Sequence, residues 1–190
     1  MKKMVVCICL AAFVCTGCAG LNQKDNAAYK AHMSKGQRYI RTDKYDKSVV
    51  EFTQAIKLGE KLKKPMLPTV MLGETYVRGN EIGKAMKVAN EAMKKWPKES
   101  CAWELAGKVA LKQTRLGDAE EYFGKALKLA REKDDKRRIG GLISLTKGLR
   151  AYSGANMQST KKCFSEIKDP KLAKDVNKNA KKILGIDMKK

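Results

Sequence analysis

Residues 103–110 read WELAGKVA, and the glycine in that stretch stands in register with two earlier ones, in HMSKGQRY at 32–39 and TVMLGETY at 69–76. Gly36, Gly73 and Gly107 are 37 and 34 residues apart. At offsets of twelve, sixteen and nineteen beyond each glycine stand Ser48, Phe52 and Ala55, then Ala85, Ala89 and Ala92, then Ala119, Phe123 and Ala126. A period of this length marks an array of supersecondary units. Glycine and alanine at the crossing points let helix backbones approach closely. Tyr39, Phe52, Tyr76, Trp103, Tyr122, Phe123 and Phe164 fill the spaces between layers. One helix pair cannot bury its apolar face alone, so stability comes from stacking.

The punctuation agrees with the register. RTDKYD, RGNEIG, TRLGDA and SGANMQ separate the two helices of successive pairs, with Asp43, Asn80 and Asn156 read as helix caps. Pro65, Pro68 and Pro97 mark joins between pairs. A weaker fourth copy aligns at Gly148, with Ala151, Thr160, Phe164 and Ile167, after a spacing of 41 that leaves room for a longer linker around EKDDKRR. Asp169-Pro170 reads as a cap followed by proline at the first helical position. On the helix it opens, Leu172, Val176, Ala180, Ile183 and Leu184 share one face, and Lys171, Lys174, Lys178 and Lys181 lie largely outside it.

This pattern resembles the tetratricopeptide repeat (TPR), a pair of antiparallel helices per repeat with small residues where they touch. The resemblance covers residues 29–168, as repeats at about 29–62, 66–99, 100–133 and 141–168, with residues 169–190 as a capping helix and basic tail. It implies an all-α, TPR-type helical-hairpin solenoid of three to four repeats. It also implies a partner-binding groove on the first helix of each repeat. Carried onto this chain, that groove takes in Lys30, Met33, Gln37, Arg41, Val70, Glu74 and Arg78, then Cys101, Glu104, Lys108, Lys112, Leu145, Leu149 and Tyr152. Basic at Arg41, Arg78, Lys108 and Lys112 and apolar toward the fourth repeat, it suits an acidic or amphipathic protein segment. The carboxylate clamp of chaperone-tail-binding TPR domains has no counterpart, because its positions fall on Met33, Gln37, Met71, Cys101 and Leu105.

The chain opens with Met1-Lys2-Lys3 and an unbroken apolar run from Met4 to Val14. A membrane-spanning helix needs about 20 apolar residues, so this run has the proportions of an export signal. VCTGC, residues 14–18, resembles the lipobox of bacterial lipoproteins, with Cys15 where that family usually has Leu. The resemblance implies a signal peptide over 1–17, a covalent lipid on Cys18 and a tether over 18–28. Ala19 after the modified cysteine implies the periplasmic face of the outer membrane. An ordinary cut after Ala19, giving a soluble periplasmic or secreted protein, is the competing reading. A redox pair at Cys15 and Cys18 would need a preceding strand, which is missing.

Of the 190 residues, 43% are apolar, 6% aromatic and 32% charged, and the length suits one domain or a short repeat stack. The net charge is +21, and 33 of the 41 basic residues are lysines spread along the chain. Such a surface is either simply solvated or attracted to acidic proteins, anionic lipid or glycan. An export signal and the absence of a recognition motif argue against nucleic acid. The only histidine, His32, takes a place where TPRs often have tryptophan, which favours packing over acid–base work. With no Cys/His cluster of metal spacing, no phosphate loop and only adjacent acidic pairs at Glu120-Glu121 and Asp134-Asp135, the chain is expected to be non-enzymatic, without metal, cofactor or small-molecule substrate. The resemblances together imply a protein-interaction or assembly adaptor whose partners are envelope proteins and, through the lipid, the membrane; the alternative is a structural envelope protein that binds anionic lipid or glycan through its basic surface.

Overall fold

The structure is a computed structural model that describes the backbone of residues 6–183 and the side chains of residues 23–178. The signal-peptide cleavage point, the Cys18 side chain, and Ala180, Ile183 and Leu184 on the apolar face of the last helix lie outside the described residues or side chains. The described residues form nine helices and no strand, an all-α architecture of TPR-type helical hairpins. They fall into two compact units, residues 1–79 and 80–190.

The first unit holds α1 (Val6–Arg41), α2 (Tyr45–Lys61) and α3 (Met66–Arg78). Its core gathers Met33, Phe52 and Ala55, with Tyr29, Ile40, Met71 and Leu72 against them. A Cβ on Gly36 would lie 2.8 Å from the Phe52 ring, so α1 and α2 touch backbone to ring. Ser48, buried at the crossing, donates to the Gly36 carbonyl at 3.0 Å and lies 3.2 Å from the buried Thr75 hydroxyl, so both hydroxyls there have partners.

The second unit holds α4 (Ile82–Lys95), α5 (Ser100–Lys112), α6 (Leu116–Leu129), α7 (Lys133–Ser153), α8 (Met157–Ser165) and α9 (Pro170–Ile183). One core cluster joins α5, α6 and α7 through Ala110, Ala119, Phe123, Ala126, Ala130 and Ile139. A second joins α7, α8 and α9 through Phe164, Ile167 and Val176, with Leu145, Leu149, Leu172 and Ala173 packed on it. A Cβ on Gly107 would lie 2.5 Å from Phe123, and one on Gly148 would lie 2.2 Å from Phe164. The glycine-to-phenylalanine interval of sixteen in the sequence is therefore a steric pairing. All twelve positions at offsets twelve, sixteen and nineteen are buried across the four copies.

Three readings of the sequence change. The segment 18–28, expected as a tether, lies within α1, because no proline or glycine interrupts the chain from Leu21 to Lys35. The linker around EKDDKRR is helical: α7 has 21 residues against 13 in α5, and its first turn carries Asp134 and Asp135, which favour the helix N-terminus. Asp43 and Asn80 are not N-caps; Lys44 and Glu81 hold those positions. Asp43 (φ 55) and Asn80 (φ 61) instead occupy left-handed positions, as do Thr114 (φ 58) and Ala155 (φ 57), each seven residues past its repeat glycine. Around Asp43 the bonds are Lys44 N–H to Tyr39 O at 2.9 Å and Asp43 N–H to Ile40 O at 3.3 Å, a Schellman closure that α5 and α7 repeat. Asn156 does cap α8, accepting from the Ser159 N–H at 2.9 Å, and Asp169 caps α9, accepting from the Leu172 N–H at 2.8 Å.

Candidate functional site

In the first unit, the expected groove residues divide between surface and core. Lys30, Gln37 and Arg41 on α1 and Arg78 on α3 are exposed, and Glu74 is half-buried. Met33 and Val70 are buried at 7% and 4% exposure and are not available to a partner. Both stand three residues before a repeat glycine, a position that the 3.6-residue helical turn carries round to the packed side of the helix.

The second unit places Glu104 at that same register position, where Met33, Val70 and Leu145 stand in the other copies. Glu104 is buried, at 3% exposure, and it does not stand alone. Its Oε1 accepts from the Arg138 guanidinium, which reaches across from α7, and from Lys108 Nζ at 2.8 Å, one turn along α5. Arg138 also donates to Asp135 Oδ1 at 2.6 Å. Two cations and two carboxylates thus close on each other between α5 and α7. Burial alone would lower the Arg138 pKa, but the charges of Glu104 and Asp135 and their hydrogen bonds raise it above the ordinary arginine value. The cluster pins the two helices together and is close to neutral.

This changes the charge of the expected groove. Lys108 is engaged by Glu104 rather than presented outward, while Lys112, one turn further, is exposed. Leu145 and Leu149 are half-buried against Phe164, Ile167 and Val176, under α8 and α9, so the apolar end of the groove is core. Tyr152 stays on the surface at 36% exposure. Arg138 escapes the sequence pattern because its segment reads as linker. Its only signal there is an arginine 34 residues after a glutamate at a core position, which gains meaning only once residues 133–140 are known to be helical.

A second charged contact links α6 to α7, where Glu120 carboxylate oxygens lie 3.0 Å from Arg150 and 3.7 Å from Lys147. Trp103 donates from its indole N–H to the Pro97 carbonyl at 2.8 Å, tilts against Tyr122 at 6.1 Å, and carries Lys125 Nζ 4.7 Å from its ring centre. His32 sits 2.7 Å from Glu51 across α1 and α2, a half-buried pair between helices. Among the described residues, no group of three or more His, Cys, Asp or Glu is placed to hold a metal. Cys101 and Cys163 are unpaired thiols.

Buried small residues at hairpin crossings and left-handed turns at a fixed offset define a helical-repeat architecture. Residues 102–133, which take in the α5–α6 hairpin, match the tetratricopeptide repeat family. No curated protein matches the chain. Tetratricopeptide repeats mediate protein–protein contacts and in general serve as scaffolds rather than enzymes.

Proposed function

We propose that the chain is a bacterial lipoprotein, held by a lipid on Cys18 at the periplasmic face of the outer membrane, whose hairpins act as a non-enzymatic adaptor for envelope proteins. The observation that carries the adaptor reading is the tetratricopeptide hairpin at 102–133. The lipobox-like VCTGC after an apolar run supports the anchoring. No described helix is long and apolar enough to cross a membrane, so stable attachment would rest on the lipid.

In this reading each unit by itself offers first-helix residues to an acidic or amphipathic partner segment. Arg41 and Arg78 are exposed on the first unit and Lys112 on the second, whereas Glu104 and Lys108 hold the second unit's scaffold. The test joins two measurements. Mass spectrometry of the mature N-terminus should find a lipidated Cys18; a chain starting at Gly20 would remove the anchor. Crosslinking in intact cells should capture a defined envelope protein, and Arg41→Glu with Arg78→Glu on the first unit should weaken that capture at least about tenfold, as expected for loss of rim charges. Unchanged capture would count against this face.

A further inference from the structure

The α2–α3 turn concentrates positive charge more tightly than any stretch the adaptor reading uses. Between residues 57 and 64 stand Lys57, Lys61, Lys63 and Lys64 with a single acid, Glu60, and all five are exposed. Among the described residues, none of the four lysines makes an ion pair, in contrast to Lys84, Lys108, Lys125 and Lys147, which each face a carboxylate.

The backbone beneath them is tightly held. Lys64 N–H donates to Gly59 O at 2.6 Å and Lys63 N–H to Glu60 O at 3.2 Å, with Lys63 at φ 56, so the helix ends in a Schellman closure that Pro65 follows. Gly59 is buried against this turn, and a Cβ there would lie 2.9 Å from the Lys64 carbonyl. The lysines therefore project from a fixed platform on flexible, strongly hydrated stems. That chemistry suits many diffuse phosphates better than one bound anion, which a planar arginine fork would recognise.

The platform lies beside the early part of α1. Tyr29 OH donates to Lys64 O at 3.4 Å, and Asp25 shares a shallow depression with Lys61, Leu62 and Lys63. Asp25 stands seven positions after Cys18, a reach of about 10 Å as helix and under about 25 Å fully extended. A lipid on Cys18 would hold the turn within that distance of the bilayer.

We infer that the α2–α3 turn is a membrane-facing surface that binds anionic lipid headgroups through Lys57, Lys61, Lys63 and Lys64. The inference rests on the envelope reading for the presence of a bilayer near residue 18, but its charge chemistry is independent of the lipid. It gives the lipid-anchored domain a preferred orientation, with the turn down.

The experiment uses residues 18–190 carrying Cys18→Ser, so that no lipid can attach. The first packed side chains described on α1 are Asp25 and Asn26, so every described side-chain contact is kept. Flotation is measured with vesicles of equimolar phosphatidylethanolamine and phosphatidylglycerol, against phosphatidylcholine alone. Binding to the anionic vesicles, reversed by salt, is expected. The Lys57→Glu, Lys61→Glu, Lys64→Glu triple variant should lose roughly 100-fold in affinity, about fivefold per lysine at an anionic surface. Lys171→Glu, Lys174→Glu, Lys178→Glu, with the same change in net charge, should lose less than about fivefold. A Lys57→Gln, Lys61→Gln, Lys64→Gln variant gives the same direction should the charge reversals unfold the unit, which circular dichroism reports. No binding to anionic vesicles at low salt, or equal losses in the two triple variants, would overturn the inference and return the turn to a protein-facing role. An unlipidated native N-terminus would defeat the lipid-anchored reading while leaving the vesicle result standing.

Discussion

The ring of Phe123 lies so close over Gly107 that a Cβ on the glycine would sit 2.5 Å from it. Phe123 is fully buried and has no free direction in which to retreat. Gly107→Ala gains about 1 kcal/mol of helix propensity but meets an overpacking cost of up to about 3 kcal/mol, so net destabilisation by roughly 1–2 kcal/mol is expected. Gly124, on α6, has nothing within 4 Å of where its Cβ would be. Gly124→Ala should therefore stabilise, by up to about 1 kcal/mol. Urea melts of the two variants should shift in opposite directions, and a shift of the same sign in both would refute the steric pairing.

Glu104 and Arg138 test a different kind of contact. Truncating Arg138 to Met leaves a buried carboxylate with Lys108 alone, and because Arg138 is itself part-exposed the cost should be about 2 kcal/mol, below the range for a fully buried pair. Replacing both, Glu104→Leu with Arg138→Met, restores the apolar residue that Leu145 supplies at the same register and should recover most of that loss. A double-mutant cycle showing simple additivity would mean that the pair does not hold α5 to α7.

How much of this is legible in the sequence depends on the range of the interaction. The glycine register is readable because the Gly36–Phe52, Gly107–Phe123 and Gly148–Phe164 pairs sit within one hairpin at one interval. The turns at Asp43 and Asn80 are readable too, but their role is not: a polar residue at a turn fits an N-cap and a left-handed C′ position equally well until the backbone is seen. The groove is the least legible part. Met33 and Gln37, like Val70 and Glu74, are one helical turn apart on the same face, so periodicity alone does not separate the buried member of each pair from the accessible one. The Glu104–Arg138 pair requires knowing that EKDDKRR opens α7, and the acidic first turn at Asp134 and Asp135 that fits a helix start fits a charged linker equally well.

Thr114 carries the cost of its turn. It is β-branched yet held at φ 58 at the end of α5, a conformation that disfavours an L-residue by about 1–2 kcal/mol. Thr114→Gly should relieve that strain, partly offset by glycine's greater freedom in the unfolded chain, for a net gain of about 0.5–1 kcal/mol. Ala155→Gly should act in the same direction at the end of α7, where φ is 57. A lower thermal midpoint for both variants would be inconsistent with left-handed closures at these two turns.

Cys101 gives a dependence on pH. It is the second residue of α5, where the helix N-terminus would ordinarily favour a thiolate, and its own backbone N–H and that of Ala102 pull in that direction. Burial outweighs them, with the negative charges of Glu99 and Glu104 adding to it, and the thiol pKa is pushed up from 9.0. A group whose folded pKa is raised contributes stability that is fully present below the unfolded value and is lost as pH rises through the folded one. The thiol therefore favours the fold at neutral pH, and the penalty appears only above about pH 9. Two measurements follow, both on residues 18–190 in a Cys18→Ser, Cys163→Ala background, where Cys101 is the one cysteine left. At pH 8 a disulfide reagent should label Cys101 more slowly in the folded chain than in urea. Above pH 9 the folded chain should lose stability more steeply with Cys101 present than with Cys101→Ala. Equal labelling rates in the two states, together with parallel alkaline stability curves, would show that Cys101 is solvated and that the start of α5 is not packed as described.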